Sequence, residues 1–147
     1  MFLALNEVTG LLTQRGHTQY GMEAVSQLEH ALQCAYLAEQ AGETSETIVA
    51  ALLHDFGHLL AAERDGLTDH DTGKDDLHQF IALPFLRKLF PSAVLEPIRL
   101  HVDAKRYLCA TRPDYFAALS EDSKRSLALQ GGIFSPGQAD SRLRRAP

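Results

Sequence analysis

The 147-residue chain is long enough to bury one sizeable core and short for two. Apolar residues make up 45% and charged residues 22%, the balance of an ordinary soluble globular domain and not of a disordered or fibrous chain. A net charge of −5 argues against a broad nucleic-acid or membrane footprint, so an anionic substrate has to be held by locally placed cations.

Taken in chain order, MFLALNEVTGLLTQRG lacks the basic start and small-residue cleavage site of a signal peptide. Residues 2–14 read as a short amphipathic helix ended near Gly16. From Met22 to Ala41, Val25, Leu28, Leu32 and Ala35 recur at helical steps, and Gly42 supplies the stop. The next helix begins at Thr44 or Ser45, both good caps, and runs to about Glu63. It is apolar nearly all round (IVAALLHDFGHLLAA) and is expected to be the central, buried helix. RDGLTDHDTGKDD (64–76) is a polar loop. A helix carrying His78 then kinks at Pro84 and stops at Pro91. Pro97 suits the first position of another helix, through His101 to about Ala110. Ser120 caps a short helix that ends in Gly131-Gly132. No segment sustains the two-residue alternation of a strand, and the expected fold class is all-α, in a single domain over 1–147. No apolar run reaches the roughly 18 residues that a membrane span needs. Cys34 and Cys109 fall inside helical patterns and read as reduced, small core residues of a cytoplasmic protein.

The seven histidines are the unusual feature. In LLHDFGHLL (52–60), two imidazoles and a carboxylate interrupt a hydrophobic run. Burying an unpaired carboxylate is costly, so positive charge should await Asp55. His54 and His58 are four apart, and Asp55 and His58 three apart, which puts them on neighbouring parts of one helix face. His30, His78 and His101 lie on three further helices, the way helical bundles assemble metal sites in their interiors. Histidine with carboxylate suits iron, manganese or another transition ion better than calcium or magnesium. Shared by two ions, Asp55 would bridge them. His17 and His70 read as ordinary hydrogen-bonded residues.

H…HD…H…H on a helical scaffold resembles the HD-domain superfamily of metal-dependent phosphohydrolases and oxygenases. More specific are YGMEAVSQLEHALQCAYLAEQAG (20–42), LLHDFGHLL, LHVDAKRYLCA (100–110) and SLALQGG (126–132). Together these resemble the HD-domain diiron oxygenases of phosphonate catabolism, relatives of myo-inositol oxygenase, over nearly all of residues 1–135. The resemblance implies an HD-domain helical bundle with two iron ions, Fe(II)/Fe(III), in its interior, other divalent transition metals being open for the protein as purified. It implies His30, His54 and Asp55 on one iron, and Asp55 bridging to a second held by His78 and His101. Tyr20 would occupy the second iron until substrate displaces it, Glu23 would sense a substrate amine, and His58 would stand beside the oxygen-binding side. Lys105, Ser123 and Gln130 would hold a phosphonate. Read from the residues alone, Lys105 follows His101 by one helical turn and Glu23 precedes His30 by two, while Ser123, Gln130 and Tyr20 carry no independent signal.

Members of that branch continue past LQGG with a helix that ends in an arginine for the phosphonate and an aspartate for the first iron. Here IFSPGQADSRLRRAP follows, in which Asp140 comes early, in a segment expected not to form a helix, and Arg142, Arg144 and Arg145 are the available cations. The domain is therefore expected to be shortened after about 135.

The expected activity is oxygen-dependent cleavage of the carbon–phosphorus bond of a small hydroxylated aminoalkylphosphonate, with release of phosphate. The expected partners are that small molecule and O2, without nucleic acid or membrane, and a homo-oligomer stays open. Two alternatives remain at this point: a two-metal phosphohydrolase acting on a phosphate ester, and a catalytically impaired metal-binding homologue.

Overall fold

The computed structural model of the protein describes residues 2–18, 23–65 and 73–145, the side chains of 63–65 and 143–145 excepted. Its helices are α1 (Leu5–Arg15), α2 (Gln27–Gln40), α3 (Ser45–Leu53), α4 (Phe56–Asp65), α5 (His78–Ile81), α6 (Leu83–Leu86), α7 (Ser92–Thr111), α8 (Pro113–Ala118), α9 (Glu121–Leu129) and α10 (Pro136–Arg145). Among the described residues there is no strand beyond an isolated bridge at Ser26. The fold is all-α.

One core holds the site in place. Val8 and Leu12 of α1, Ala50 and Leu53 of α3, and Phe56 and Leu59 of α4 meet Ala82, Leu86, Val94 and Ile98. The long helix α7 repeats its buried positions, Val94, Ile98 and Val102, at four-residue steps. Helix α3 packs against both α2 and α7, so His30, the His54–Asp55 pair and His101 come from neighbouring helices.

Four of the expected segments take a form different from the sequence expectation, and the helix α8 was not expected at all. Helix α2 starts at Gln27, not Met22, because Ser26 accepts a bond from the Glu29 amide while the Glu29 side chain returns to the Ser26 amide. The expected central helix is two helices, broken at His54–Asp55. Adjacent residues on an ideal helix diverge by about 100°, yet both of these side chains turn to one centre. The local turn permits it, and the amide of His58 bonds the Asp55 carbonyl only three residues back, at 3.0 Å. Helix α7 begins at Ser92, so Pro97 sits in its interior. Pro97 and Ala93, whose carbonyl loses its partner, are both exposed, and water can replace the bond. Finally, residues 136–145 do form a helix, with Pro136 at its first position.

The kink at Pro84 appears as a break between α5 and α6 at Ala82. Thr44 and Ser120 cap α3 and α9 as expected. Gly131 and Gly132 follow α9 with φ of 110° and 77°, conformations that favour glycine. Cys109 is buried, whereas Cys34 is only half-buried and lies beside His30; both are free thiols. No helix among the described residues is long and apolar enough to cross a membrane.

Candidate metal centre

Asp55 is the hub. Its Oδ2 lies 3.2 Å from His30 Nε2 and 3.1 Å from His54 Nε2. Its Oδ1 lies 3.1 Å from His78 Nε2 and 3.3 Å from His101 Nε2. The four imidazoles thus divide two and two between the oxygens of one carboxylate. The Nε2 atoms within each pair are also close, 3.3 Å for His30 and His54 and 2.9 Å for His78 and His101.

The outer ring nitrogens explain this orientation. His54 Nδ1 donates to the Ala51 carbonyl at 2.6 Å, and His101 Nδ1 to the Ile98 carbonyl at 2.7 Å. His78 Nδ1 faces Asp76 Oδ1 at 3.2 Å. With the proton on Nδ1, a neutral imidazole presents its Nε2 lone pair inward. Three such lone pairs, His30 and two carboxylate oxygens then converge, and only a cation can satisfy them together. Without metal, protons fill that role. Burial would lower His30 and His78, but Asp55 outweighs it, with Cys34 aiding at His30 and Asp76 at His78; the two rise from 6.5 to about 10 and about 9. His101 is instead pushed down, by burial first and by its histidine neighbours. Burial alone would raise Asp55, but the imidazoles around it, His54 foremost, hold it well below 3.8.

These donors fit one or two transition ions. They are nitrogen and oxygen atoms from three helices and the His54–Asp55 turn, with outer-sphere partners that fix the rings. Local geometry admits them because Gly57 lets α4 approach the backbone of His78.

The centre floors a cavity of about 330 Å³. Lys105, Ser123 and Gln130 line it as the sequence suggested, along with Gln27, Tyr115, Asp122 and Ser126, which it did not. The Gln130 Oε1 atom is buried without a hydrogen-bond partner, a polar atom left for a ligand. His58 also lines the cavity; its Nε2 is 3.9 Å from Asp55 Oδ1 and its Nδ1 donates to Asp76 Oδ2. Glu23 is not among the lining residues; its carboxylate accepts a bond from the Ser120 hydroxyl. Tyr20 and His70 lie outside the described residues, and His17 is exposed. Asp140 and Arg142 do not line this cavity either. Arg142 pairs with Asp103 at 2.8 Å, beside a separate groove, and the side chains of Arg144 and Arg145 are outside the description.

The HD domain family matches residues 27–129, which contain every histidine of this centre. The chain belongs to the HD-domain family. It is 46% identical over 125 residues, 85% of its length, to the [1-hydroxy-2-(trimethylamino)ethyl]phosphonate dioxygenase (glycine-betaine-forming) of Leisingera caerulea. It is 47% identical over 128 residues, 87% of its length, to the hydroxymethylphosphonate dioxygenase of Gimesia maris. An uncharacterised protein of Acanthamoeba polyphaga mimivirus matches at 38% over 132 residues, 89% of the chain. The HD-domain chain spans 63% of the length of each of the two dioxygenases and 60% of the viral protein.

Asp76, Asp122, Tyr115 and Gln27 escaped the sequence reading. Asp76 stands two residues before His78, a spacing that could have flagged it. Tyr115 lies on α8, a helix that the sequence reading did not foresee.

Proposed function

We propose that this HD-domain protein is an iron-dependent oxygenase that cleaves the carbon–phosphorus bond of a small hydroxyphosphonate. The observation that carries the reading is the two-and-two division of histidines between the oxygens of Asp55, on the floor of a cavity lined by Lys105, Ser123 and Gln130. The names of two relatives at 46% and 47% identity support it.

In this reading His30, His54 and Asp55 would hold one iron, and His78, His101 and Asp55 would hold the other. Hydrolysis is a poor route for such a bond, because a carbanion would have to leave phosphorus. When bound, the irons, in a mixed-valent pair, supply the activation of O2 that side chains cannot provide. The carbon that bears the hydroxyl is oxidised to a carboxylate, phosphorus departs as phosphate, and both oxygen atoms enter the products.

The chain's own residues bind and orient. Lys105 offsets phosphonate charge, Ser123 donates to a phosphonate oxygen, and the Gln130 amide completes its bonding there. A cationic far end of the substrate meets Asp122 and Tyr115, a carboxylate and an aromatic ring on the cavity wall. Glu23 serves the same cation if its bond to Ser120 opens. His58 handles a proton at Nε2.

The test is phosphate release from hydroxymethylphosphonate and from its 2-aminoethyl and 2-trimethylaminoethyl analogues, by iron-loaded protein, with and without O2. Release together with a carboxylate, only under O2, is expected. Equal release in the absence of O2 would reject the oxygenase in favour of hydrolysis.

A further inference from the structure

Asp76 stands outside the two-and-two division of histidines around Asp55 and was singled out by no motif, yet its two oxygens serve two histidines; with Asp75 and His78 it also forms a close group of potential metal donors. Oδ1 accepts from the His78 backbone amide at 3.0 Å and faces His78 Nδ1 at 3.2 Å. Oδ2 accepts from His58 Nδ1. The two rings stack with centroids 3.8 Å apart and planes 17° apart. The carboxylate is largely shielded, its side chain 11% exposed. The turn that carries it is held against its own preference: Leu77, a non-glycine residue, adopts φ 56°, and the Asp75 side chain accepts from its amide at 3.1 Å.

We propose that Asp76 is a positioning residue that fixes two histidines at once, aiming Nε2 of His78 at the second metal position and leaving Nε2 of His58 available to the cavity. The inference rests on the reading of His78 and His101 as metal ligands. A neutral imidazole has one N–H, and a carboxylate on the Nδ1 side holds it there. Both Nε2 atoms are then bare and on the side of Asp55. That of His78 is 3.1 Å from Oδ1, within reach of a shared ion, while that of His58 is 3.9 Å away and too far to bond it. The Nε2 of His58 therefore faces the cavity as a hydrogen-bond acceptor for a bound group. The role of Asp76 is exerted through the two rings that its oxygens hold.

The experiment compares wild type with Asp76→Asn, whose amide has a single acceptor oxygen and cannot receive both Nδ1–H groups. Long-range proton–nitrogen spectra of the zinc-loaded protein report which nitrogen of each imidazole carries the proton. Wild-type His58 and His78 are expected as Nδ1–H, and at least one is expected to change in Asp76→Asn. In zinc titrations the second position should weaken about 10- to 100-fold while the first stays within about threefold. A merely structural role would weaken both positions alike, and that result overturns the proposal. So does a wild-type His58 protonated on Nε2 alone, which can be read even if the variant fails to fold. Wild-type protein that takes up no second zinc overturns the two-metal reading itself, an outcome distinct from any defect of the variant.

Discussion

Gly57 and His78 meet backbone against backbone: a methyl group on Gly57 would stand 1.9 Å from the His78 carbonyl oxygen. Gly57→Ala therefore has to push α5 away from α4. The expected cost is about 1–3 kcal/mol of stability. Because His78 moves and His30 does not, zinc affinity should fall at the His78/His101 position and hold at His30/His54. Thermal unfolding and a zinc titration check both parts; equal affinities at the second position would contradict the packing argument.

Asp55→Ala removes the partner common to four imidazoles. Metal content after iron loading should drop to near zero, read by elemental analysis. The metal-free fold should lose roughly 3–5 kcal/mol, as when one member of a buried ion pair is deleted. A variant that keeps its metals would show that Asp55 is not their shared ligand.

The metal-free protein should lose stability as pH rises. His30 and His78 are raised from 6.5 to about 10 and about 9, so their contribution is complete below pH 6.5 and disappears between 6.5 and those values. Asp55, held below 3.8, contributes above that pH and loses its share as pH falls further. His101, which is lowered, opposes the trend only in part. A melting series in chelator should thus peak on the acid side of pH 6.5 and decline towards pH 9. Zinc should reverse the slope, because binding displaces protons.

Lys105→Ala tests the cavity without touching the centre. Metal content should stay at the wild-type value. Loss of one charged hydrogen bond, about 1.5–3 kcal/mol, should lower kcat/KM for the phosphonate by about 10- to 100-fold, mostly through KM. Steady-state kinetics alongside metal analysis reads the difference.

The clustering of His30, His54, His78 and His101 around Asp55 was legible because its chemistry is conspicuous: a carboxylate and imidazoles inside LLHDFGHLL have few bland explanations. Helix boundaries were less so. The start of α2 is written in S-Q-L-E, a capping box at Ser26 and Glu29, but the apolar periodicity that extends upstream masks it. The break at His54–Asp55 follows from convergence on a centre that local propensity does not register. Pro97 reads as a helix start because its cost is a local property, whereas the burial of Val94, Ile98 and Val102 that outweighs it is tertiary. Asp122 and Tyr115 join the site through contacts that no spacing rule relates to the histidines.

Ser120 uses one hydroxyl twice, donating to Glu23 and accepting from the Ser123 amide. A single oxygen atom thereby clasps a loop 97 residues around. Closures of that span come late in folding, since chain entropy must be overcome before they return anything. The side of the pocket that carries Ser123 is thus expected to be among the later parts to dock against the Glu23 segment as the chain folds. In mild denaturant it should also be the first to swing open, while the imidazoles still grip their carboxylate.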